Sequence, residues 1–460
     1  MDEKLLGWEA KRQKGAYNCQ LSPLSEEEQK FLSLLCAEFS EFSKTSEISS
    51  EAQAKEAIEK IFLKLTKKEG IDADEEQKEY LQKAALSHLH GFAPLDAMLS
   101  DNEIEEIAAI AINEPIRVYI RKKGWQDTNA YFTTHEHLIH LINKMSRPLG
   151  RRITSQSPRI NALMPNGSRL HATIPPLSAG ELTIRLHGAK KWGVCDLLQS
   201  QCISADALAF LWLAFQSDSS VLICGNTSSG KTTLLNCLLS FVPLRERLII
   251  IEETPEITPP HPHRASLVSN DDLKINMCDL VRDSLRMRPD RVIVGEVRTP
   301  PEVEAYVETL LSGHARGSYA TFHSNSASEA IRRMCNLGAM PDDLASLDFL
   351  ILQRRISRYC PSSKKQTEAR RMIGIFMPKR HERGELFGFD LLPIFEYSEK
   401  SDSLQKARGF EDAMQKISQK LAIPSAEARK IFVEREKFLA SLTCKDAAEE
   451  CKKIQKFAYG

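Results

Sequence analysis

The octapeptide GNTSSGKT at positions 225–232 constrains the fold of this chain more than any other feature. It satisfies the phosphate-loop pattern, in which two glycines enclose four variable positions and a lysine and a threonine follow. The apolar run 221–224 predicts a short buried strand before the loop, and the residues up to Leu239 predict a helix after it. This order distinguishes a nucleotide-binding loop from a chance glycine-rich turn.

The residue types of this loop suit a polyphosphate. Two glycines let the backbone curl so that successive N–H groups point inward, and the following helix adds the positive end of its dipole. Lys231 is expected to reach the β- and γ-phosphates, and the Thr232 hydroxyl to ligate Mg²⁺. The residues predicted to bind ATP with Mg²⁺ are Gly225, Asn226, Thr227, Ser228, Ser229, Gly230, Lys231, Thr232 and Thr233.

Composition is that of an ordinary intracellular protein. Because 62 Lys and Arg balance 62 Asp and Glu, no net field draws the chain to DNA or to an anionic membrane. No apolar run approaches the ~20 residues that cross a bilayer, and the first residues, MDEKLLGWEAKR, lack the apolar stretch of an export signal. The 11 cysteines include no C-x-x-C pair, so we expect reduced thiols and a cytoplasmic location.

Composition and periodicity divide the 460 residues into five segments. Residues 1–94 and 399–460 predict helical extensions, since Lys, Glu and Ala are frequent and apolar residues recur at helical spacing. Residues 95–190 predict a small α/β domain, and 191–203 a linker. Residues 204–398 alternate strand and helix patterns, which predicts a RecA-like P-loop core with a mostly parallel sheet. The strands expected in this core are 221–224, 248–251, 292–294 and 318–322.

Acidic residues follow two of the predicted core strands. Residues 248–251 lead toward Glu253, and residues 292–294 lead through Gly295 to Glu296. A carboxylate at such a strand end can position Mg²⁺ or the attacking water, and a general base contributes roughly 10² to 10⁴ in rate. Gly295 stands where an aspartate usually orders the metal, so we expect Glu296 to order the metal shell, the water or both. The alternatives are a solvated acidic turn at Glu253 and an ordinary strand-end charge at Glu296.

Histidines occur at two further places. His323 ends the predicted strand 318–322, with His314 upstream, and a polar side chain there can contact a γ-phosphate from the neighbouring strand. The alternative is a hydrogen-bonded structural histidine. Thr133 and Glu136 form a capping-box pattern that predicts the start of a helix. A metal site is disfavoured there because no partner cluster accompanies the helix histidines His135, His137 and His140.

Residues 147–191 carry a positive bias within a neutral chain. Glu181 is the one acid among eight basic residues: Arg147, Arg151, Arg152, Arg159, Arg169, Arg185, Lys190 and Lys191. Such a bias needs an anionic partner, which is the γ-phosphate of ATP bound between domains, a nucleic-acid backbone or an acidic protein. Arginine suits the first because its planar fork pairs two phosphate oxygens. No aromatic residue lies within the stretch for base stacking, which weakens the second.

Taken in order, these segments resemble the secretion-ATPase superfamily, the hexameric motors of type II and type IV secretion, type IV pili and archaeal surface filaments. The resemblance covers about residues 96–340. Its motifs are the Walker A loop GNTSSGKTT at 225–233, an Asp-box-like IEETPE at 251–256, the extended Walker B segment VRDSLRMRPDRVIVGEVR at 281–298 and the His box GHARGSYATFHSNS at 313–326. The His box is most similar to the archaeal pilus-assembly branch. One departure is that the Asp box usually reads Glu-Asp, whereas Glu253 stands here.

The resemblance implies roles for particular residues. Glu296 is implied as the catalytic glutamate and, with Thr232, as a residue of the metal site. Glu253 takes the Asp-box position, and its longer side chain changes the placement of the attacking water. His323 is implied near the γ-phosphate. In the segments NGSRL and TIRL, Arg169 and Arg185 match arginines that reach ATP across the domain gap; the list of implied catalytic residues is therefore Glu296, Glu253, His323, Arg169 and Arg185.

The resemblance also implies a function and partners. It implies a homohexameric ATP hydrolase, cytoplasmic and peripheral at the inner face of the cell membrane. Such a motor powers pilus-like filament assembly or secretion through a polytopic membrane platform protein, and it acts indirectly on pilin-like subunits. Two alternatives stay open. A RecA-like nucleic-acid translocase is disfavoured by the neutral charge, and a nucleotide-regulated scaffold without turnover is kept open by Glu253.

Overall fold

The computed structural model describes residues 8–10, 17–19, 24–45, 51–69, 74–120, 123–186, 191–270, 273–313, 315–360, 364–380 and 388–460. The chain divides into two compact units, Met1–Lys190 and Lys191–Gly460. Lys190 of the basic stretch and His314 of the His box lie outside the described ranges.

The first unit consists of helices and one antiparallel sheet. Its elements are β1 (Trp8–Ala10), α1 (Glu26–Thr45), α2 (Glu51–Glu69), α3 (Glu75–Leu89), α4 (Asp96–Ser100), β2 (Ile104–Ala109), β3 (Pro115–Ile120), β4 (Gly124–Phe132), α5 (His135–Ser146), a 3-10 turn (Arg147–Leu149), β5 (Arg159–Leu163), β6 (Arg169–Thr173) and β7 (Glu181–Arg185). The seven strands pair in the order β1-β4-β3-β2-β7-β6-β5.

Side-chain alternation gives this sheet one buried face. In β6 and β7, Leu170, Ala172, Leu182 and Ile184 are buried, and the residues between them are more exposed. Because successive side chains of a strand point to opposite faces, the apolar set shares one face. That face forms a single hydrophobic core with α1, α2, α3 and α5. The N-terminal helices therefore pack in the same unit as the small α/β sheet.

The N-terminal cap of α5 lies one residue from its predicted position. The hydroxyl of Thr134 accepts the N–H of His137 at 3.3 Å. Thr134 has φ −135° and ψ 144°, the extended backbone that a capping residue adopts. Thr133 and Thr134 carry the same side chain, so composition does not choose between them. The predicted capping box of Thr133 with Glu136 is wrong.

The second unit is larger and continues to the C-terminus of the chain. Its elements are α6 (Val194–Gln199), α7 (Ala205–Gln216), β8 (Val221–Gly225), α8 (Lys231–Leu239), β9 (Leu248–Glu252), β10 (Arg264–Val268), α9 (Met277–Ser284), β11 (Arg291–Val297), α10 (Pro300–Leu311), β12 (Gly317–His323), α11 (Ala327–Asn336), α12 (Pro341–Leu344), β13 (Phe349–Cys360), β14 (Lys365–Arg380), β15 (Phe389–Ser398), β16 (Ser403–Lys406), α13 (Phe410–Leu421), α14 (Ser425–Ser441) and α15 (Ala447–Tyr459).

The nine strands of this unit form one sheet in the order β10-β9-β11-β12-β8-β13-β14-β15-β16. The pairs from β10 to β13 are parallel, and those from β13 to β16 are antiparallel. Alternate residues of β8 enter different hydrophobic cores: Val221 and Ile223 one, Leu222 and Cys224 the other. A parallel sheet with an apolar core on each face is the predicted α/β P-loop arrangement, which is thereby confirmed. The four predicted core strands are β8, β9, β11 and β12.

The C-terminal helices belong to the core of the second unit. Phe432 and Leu439 of α14 and Ile454 of α15 join the cluster around α7. The buried carboxylate of Glu450 accepts the N–H groups of Val194 and Cys195, at 2.6 and 2.8 Å, and so satisfies the first turn of α6. Among the described residues, no helix combines the length and apolarity that crossing a membrane requires.

Candidate nucleotide-binding site

The phosphate loop connects β8 to α8 in a shape that depends on its glycines. Gly230 has φ +92° and Ser228 has φ +59°, so both residues adopt left-handed backbone. At Gly225, a Cβ atom would lie 2.1 Å from the backbone oxygen of Gln353 and 2.6 Å from Ser229 Oγ, which leaves no room for a side chain. The strand, loop and helix predicted here are confirmed.

Lys231 begins α8 and folds back over the loop. Its side chain is almost fully buried, and Nζ donates to the carbonyl oxygens of Gly225 at 3.2 Å and Asn226 at 3.4 Å. Burial lowers the pKa of Lys231, while the Glu296 carboxylate acts in the opposite direction. Both acceptors are neutral, so the ammonium group is held by weaker hydrogen bonds than an anion would provide.

His323 connects Lys231 to Glu296. Its Nδ1 lies 3.2 Å from Lys231 Nζ, and its Nε2 lies 2.7 Å from Glu296 Oε1. Because an ammonium group can only donate, Nδ1 accepts and the ring proton is assigned to Nε2; this nitrogen is close to Glu296 Oε1, but the geometry is not that of a hydrogen bond. Burial and the Lys231 ammonium group lower the pKa of His323, and Glu296 opposes them. The imidazole is therefore a neutral link between a cation and an anion.

Arg298 joins the two glutamates that follow the core strands. It donates through Nη1 to Glu253 Oε2 and through Nη2 to Glu296 Oε2, both at 2.5 Å. The hydrogen bond to Glu296 raises the pKa of Arg298, which keeps the guanidinium charged. These contacts form a continuous chain that we call the polar network: Lys231, His323, Glu296, Arg298 and Glu253.

The sheet topology brings the polar network together. Strands β9, β11, β12 and β8 are parallel neighbours, so their carboxyl ends lie along one edge. Ligands bind at this edge in open α/β sheets. The ladder between β11 and β12 shifts register between Val294 and Val297, which takes Gly295 and Glu296 out of regular pairing. Such a bulge re-aims the side chain of Glu296 toward the neighbouring strand end.

The packing of the strands explains the glycine at position 295, and hydrogen bonds explain the glutamate at position 252. A Cβ atom at Gly295 would lie 2.8 Å from Glu252 Cγ, so an aspartate does not fit at this position as the strands are packed. The Glu252 carboxylate is buried and accepts the N–H groups of Glu256 at 2.9 Å and Ile257 at 3.1 Å. Glu252 thus fixes the turn after β9, and Glu253 is the residue that faces Arg298.

The remaining loop residues differ in exposure. Asn226 pairs through its side-chain amide with the backbone of Arg355, accepting at 3.0 Å and donating at 3.3 Å. Thr227 is exposed, and Thr232 and Thr233 are half-buried in the first turn of α8. These hydroxyl groups are accessible to a ligand of the loop.

Arg169 and Arg185 lie in the first unit, on adjacent strands. They are direct partners in the antiparallel register of β6 and β7, and Glu106 of β2 is the partner of Arg185 on its other side. Both arginines are on the face opposite the hydrophobic core, and Arg185 is exposed.

The histidines of α5 are explained by packing. The His137 ring stacks on His88 with centroids 5.4 Å apart, and its Nε2 lies 3.4 Å from the carbonyl oxygen of Ala93. Burial lowers the pKa of His137 to about 4, so the ring is neutral. His135 contacts the carbonyl oxygen of Ala179 at 3.1 Å.

Three side chains near the site, one beside Glu296 and two at the phosphate loop, are not among the residues predicted from the sequence. Arg298 lies two residues after Glu296, and this spacing on a strand end was an available signal. Gln353 of β13 and Arg370 of β14 donate to carbonyl oxygens of the loop at 3.1 and 3.0 Å. Both follow residue 340, where the motif resemblance ends, and neither carries a local signal.

A parallel sheet with a phosphate loop, a glutamate and a histidine along one edge defines the second unit as a RecA-like P-loop fold. The chain belongs to the family described as Type II/IV secretion system protein, whose family model matches residues 89–436, more than half of its length. This match confirms the resemblance to the secretion-ATPase superfamily.

Individual relatives are similar over part of the chain. An uncharacterized protein of Methanocaldococcus jannaschii is 35% identical over 233 residues, which cover 48% of this chain and 32% of that protein. The Type IV secretion system protein VirB11 of Bartonella quintana is 27% identical over 282 residues, covering 52% and 78%. The X-ray structure of the Legionella pneumophila ATPase DotB aligns at 18% identity with a TM-score of 0.45, over 75% of this chain and 87% of that one. The matched region thus spans about a third of the archaeal relative.

Proposed function

We propose that this chain is an ATP hydrolase that serves as the motor subunit of a type II/IV secretion or type IV pilus-like system. The observation that carries the proposal is the polar network. It joins the phosphate-loop lysine, Lys231, through His323 to Glu296, at the sheet edge where parallel α/β folds bind ligands. A strand-end carboxylate with a purely structural role would not require contacts that lead to the phosphate-loop lysine.

The loop fits a nucleoside triphosphate with Mg²⁺. Gly225 leaves no room for a side chain, and Ser228 and Gly230 hold the left-handed backbone of a phosphate cradle. Lys231 would exchange its neutral carbonyl acceptors for phosphate oxygens, which form stronger, charge-assisted hydrogen bonds. The Thr232 hydroxyl would ligate the metal, and Glu296 would hold its water shell. Bound Mg²⁺ neutralises charge that develops during phosphoryl transfer.

Glu296 is the proposed general base. Its Oε2 accepts from Arg298, which fixes the direction of the carboxylate, while its buried Oε1 forms no hydrogen bond although His323 Nε2 lies 2.7 Å away. A carboxylate held in this way can orient a water molecule and accept its proton, for a contribution of roughly 10² to 10⁴ in rate. His323 has one ring proton, and it can donate that proton to Glu296 or to a γ-phosphate oxygen. We propose that this choice couples phosphate binding to the orientation of Glu296.

Three further residues complete the proposed site. Glu253 would act through Arg298, which it holds from the side opposite Glu296. Arg169 and Arg185 are proposed as phosphate-contacting arginines, because the segments NGSRL and TIRL resemble those that supply such arginines in the family. A phosphate-contacting arginine of this kind typically contributes 10³ to 10⁵ in turnover.

The biological setting is part of the proposal. We propose a homohexamer in the cytoplasm, peripheral to the membrane, that acts on a polytopic membrane platform protein and indirectly on pilin-like subunits. Family membership supports this setting, and relatives carry the names Type IV secretion system protein in Bartonella quintana and putative conjugal transfer protein in Mycobacterium tuberculosis.

The test is steady-state turnover of Mg²⁺-ATP by the purified chain, with and without single-stranded DNA, together with light scattering for mass. We expect turnover that ignores DNA and a mass six times that of the 51.9 kDa chain. Turnover that rises with DNA and falls steeply with salt would instead favour a nucleic-acid translocase. Tight ATP binding without turnover would favour a nucleotide-regulated scaffold.

A further inference from the structure

The phosphate loop is tied to the hairpin of β13 and β14 by two side chains outside the polar network. Gln353 is almost fully buried, and its Nε2 donates to the carbonyl oxygen of Ser229 at 3.1 Å and to Cys202 Sγ at 3.0 Å. Arg370 donates from Nε to the carbonyl oxygen of Ser228 at 3.0 Å. Two consecutive loop carbonyls are therefore bound on the hairpin side.

These hydrogen bonds set the direction of the loop N–H groups. In a trans peptide the C=O and N–H bonds point in opposite directions. With the carbonyls of Ser228 and Ser229 turned to the hairpin, the N–H groups of Ser229 and Gly230 point away from it. The Ser229 N–H donates at 3.2 Å to the carbonyl oxygen of Asn226, which also accepts from Lys231 Nζ at 3.4 Å. The Ser229 N–H therefore points to the side on which Lys231 Nζ lies.

The surroundings of Gln353 are built for this contact. Gln353 is the direct register partner of Gly225 on β8, and a Cβ at Gly225 would collide with its backbone oxygen at 2.1 Å. The ladder between β13 and β14 shifts register between Leu352 and Gln353, and such an irregularity re-aims a side chain. An apolar side chain would fill this buried position without the desolvation cost of an amide. The amide nitrogen donates to the loop and to Cys202, while the buried amide oxygen has no hydrogen-bond partner, so the donor is the part of this side chain that explains its polar character.

We infer that Gln353, assisted by Arg370, is a positioning residue that holds the peptide planes of the phosphate loop ready for a polyphosphate. Gln353 itself does not reach the ligand. Its effect is preorganisation: without it, the peptide between Ser229 and Gly230 populates other orientations, and apparent affinity falls with the competent fraction. The inference rests on the proposed function, because the loop must bind a nucleotide.

The test is the dissociation constant for ADP and for a non-hydrolysable ATP analogue, each with Mg²⁺, measured by calorimetry on the full chain. Gln353→Met keeps the length and packing of the side chain but removes the donor. We expect both dissociation constants to rise roughly two- to twelvefold, the value of one hydrogen bond, with no change in the thermal midpoint beyond a few degrees. Gln405→Met is the matched control, since Gln405 is an exposed glutamine on β16 of the same sheet.

Arg370 is exposed, and substitutions there can test separately the contributions of its hydrogen bond and of its charge to nucleotide binding. Arg370→Lys keeps the positive charge and loses the planar donor group, and Arg370→Gln loses both. We expect the two variants to weaken nucleotide binding alike.

The inference would be overturned if Gln353→Met bound nucleotide with an affinity within twofold of that of the unsubstituted chain, whatever its thermal midpoint. If Gln353→Met does not fold, unchanged affinity of Arg370→Lys overturns it. An unsubstituted chain that binds neither nucleotide would remove the proposed function itself, which is a distinguishable result.

Discussion

Strand β11 begins and ends in a charged cluster, and the two clusters differ in construction. At the amino end, Arg291 is fully buried and donates to Glu246 and to Asp218, both at 2.6 Å. At the carboxyl end, the side chain of Glu296 is 21% exposed and lies between His323 and Arg298. The first cluster matches a buried cation to fixed carboxylates, and the second connects groups that can change partners.

This difference separates stability from function. Arg291 cannot leave its carboxylates without exposing buried charge to an apolar environment. Lys231 is held by neutral carbonyls and an imidazole, all weaker acceptors than a phosphate oxygen. We infer that a charged cluster serves the fold when a fully buried charge is paired with opposite charges, as Arg291 is with the buried Glu246 and the more exposed Asp218. A cluster can bind and react when a stronger partner is able to enter.

The largest expected effect is a loss of ATP turnover on replacing Arg185, which is exposed whereas Arg291 is buried. Arg185 is exposed on β7 and faces Arg169, so it contributes little to the fold. Arg185→Ala should lower ATP turnover by about 10³ to 10⁵ and leave the thermal midpoint unchanged. The matched control is Arg117→Ala on β3, whose arginine pairs with Asp127 at 2.8 Å. Normal turnover of Arg185→Ala would show that the basic face of the first unit has another ligand.

The second prediction concerns the carboxyl-end cluster. Glu296→Gln keeps an oxygen acceptor for Arg298 but removes the base. Turnover should fall at least hundredfold, while the dissociation constant for ATP stays within a few fold. Single-turnover kinetics with radiolabelled ATP measure both quantities. Near-normal turnover would exclude Glu296 as the general base.

The third prediction concerns the amino-end cluster. Arg291→Met removes the 2.6 Å ion pair of the buried Glu246 and leaves that carboxylate only the longer contact with Arg316 Nη1 at 3.5 Å, which should lower the free energy of unfolding by up to about 3–5 kcal/mol. Turnover per folded molecule should not change. The double variant Arg291→Met, Glu246→Met should recover most of the lost stability, because it removes both buried charges. If the double variant is as unstable as the single one, packing of Arg291 matters more than its charge.

These clusters also show what sequence patterns can and cannot predict. The strands β8, β9, β11 and β12 follow from short buried runs, and parallel strand ends must share an edge, so the proximity of Glu296, His323 and Lys231 was predictable. The partners of Arg291 were not, because Asp218 and Glu246 are 73 and 45 residues away and carry no local signal.

Contacts that depend on exact register were likewise missed. Gln353 meets the phosphate loop only because β13 pairs with β8 and its ladder to β14 shifts by one residue. At α5, the choice between Thr133 and Thr134 depends on backbone angles that neither side chain determines. Patterns of burial predict which strands form, whereas long-range pairing decides which polar side chains meet.

The fourth prediction compares the histidine beside each cluster. His261 is fully buried near Arg291 and donates from Nε2 to the carbonyl oxygen of Val242 at 3.2 Å, and burial lowers its pKa from 6.5 to about 4. The pKa of His261 is lower in the folded protein than in the unfolded chain, so the unfolded chain binds a proton first as the pH falls. The free energy of unfolding is therefore unaffected by His261 above about pH 6.5 and decreases as the pH falls toward 4. The loss is on the order of 3 kcal/mol.

His261→Gln keeps a donor for Val242 and should flatten that part of the stability profile, measured by chemical denaturation at several pH values. His88 and His137 also have pKa values lowered to about 4 and remain in the variant, so the difference between the two proteins is the quantity to compare. His323→Gln should change turnover and leave the stability profile nearly unchanged, since His323 is partly exposed. Equal changes in stability from both substitutions would contradict the separation of the two clusters.

The smallest expected effect is at the outer end of the polar network. The side chains of Arg298 and Glu253 are 46% and 47% exposed, so water screens their ion pair and its contribution is about 0.2–1 kcal/mol. Glu253→Asp shortens the side chain and loosens Arg298 on one side, while Glu296 still holds it on the other. We therefore expect the free energy of unfolding to fall by at most about 1 kcal/mol, and turnover to change by less than about tenfold. Glu253→Gln keeps the length and removes the charge, which separates the two causes. A hundredfold loss in either variant would mean that Glu253 contacts the reacting groups directly, and the functional cluster would then extend to its most exposed member.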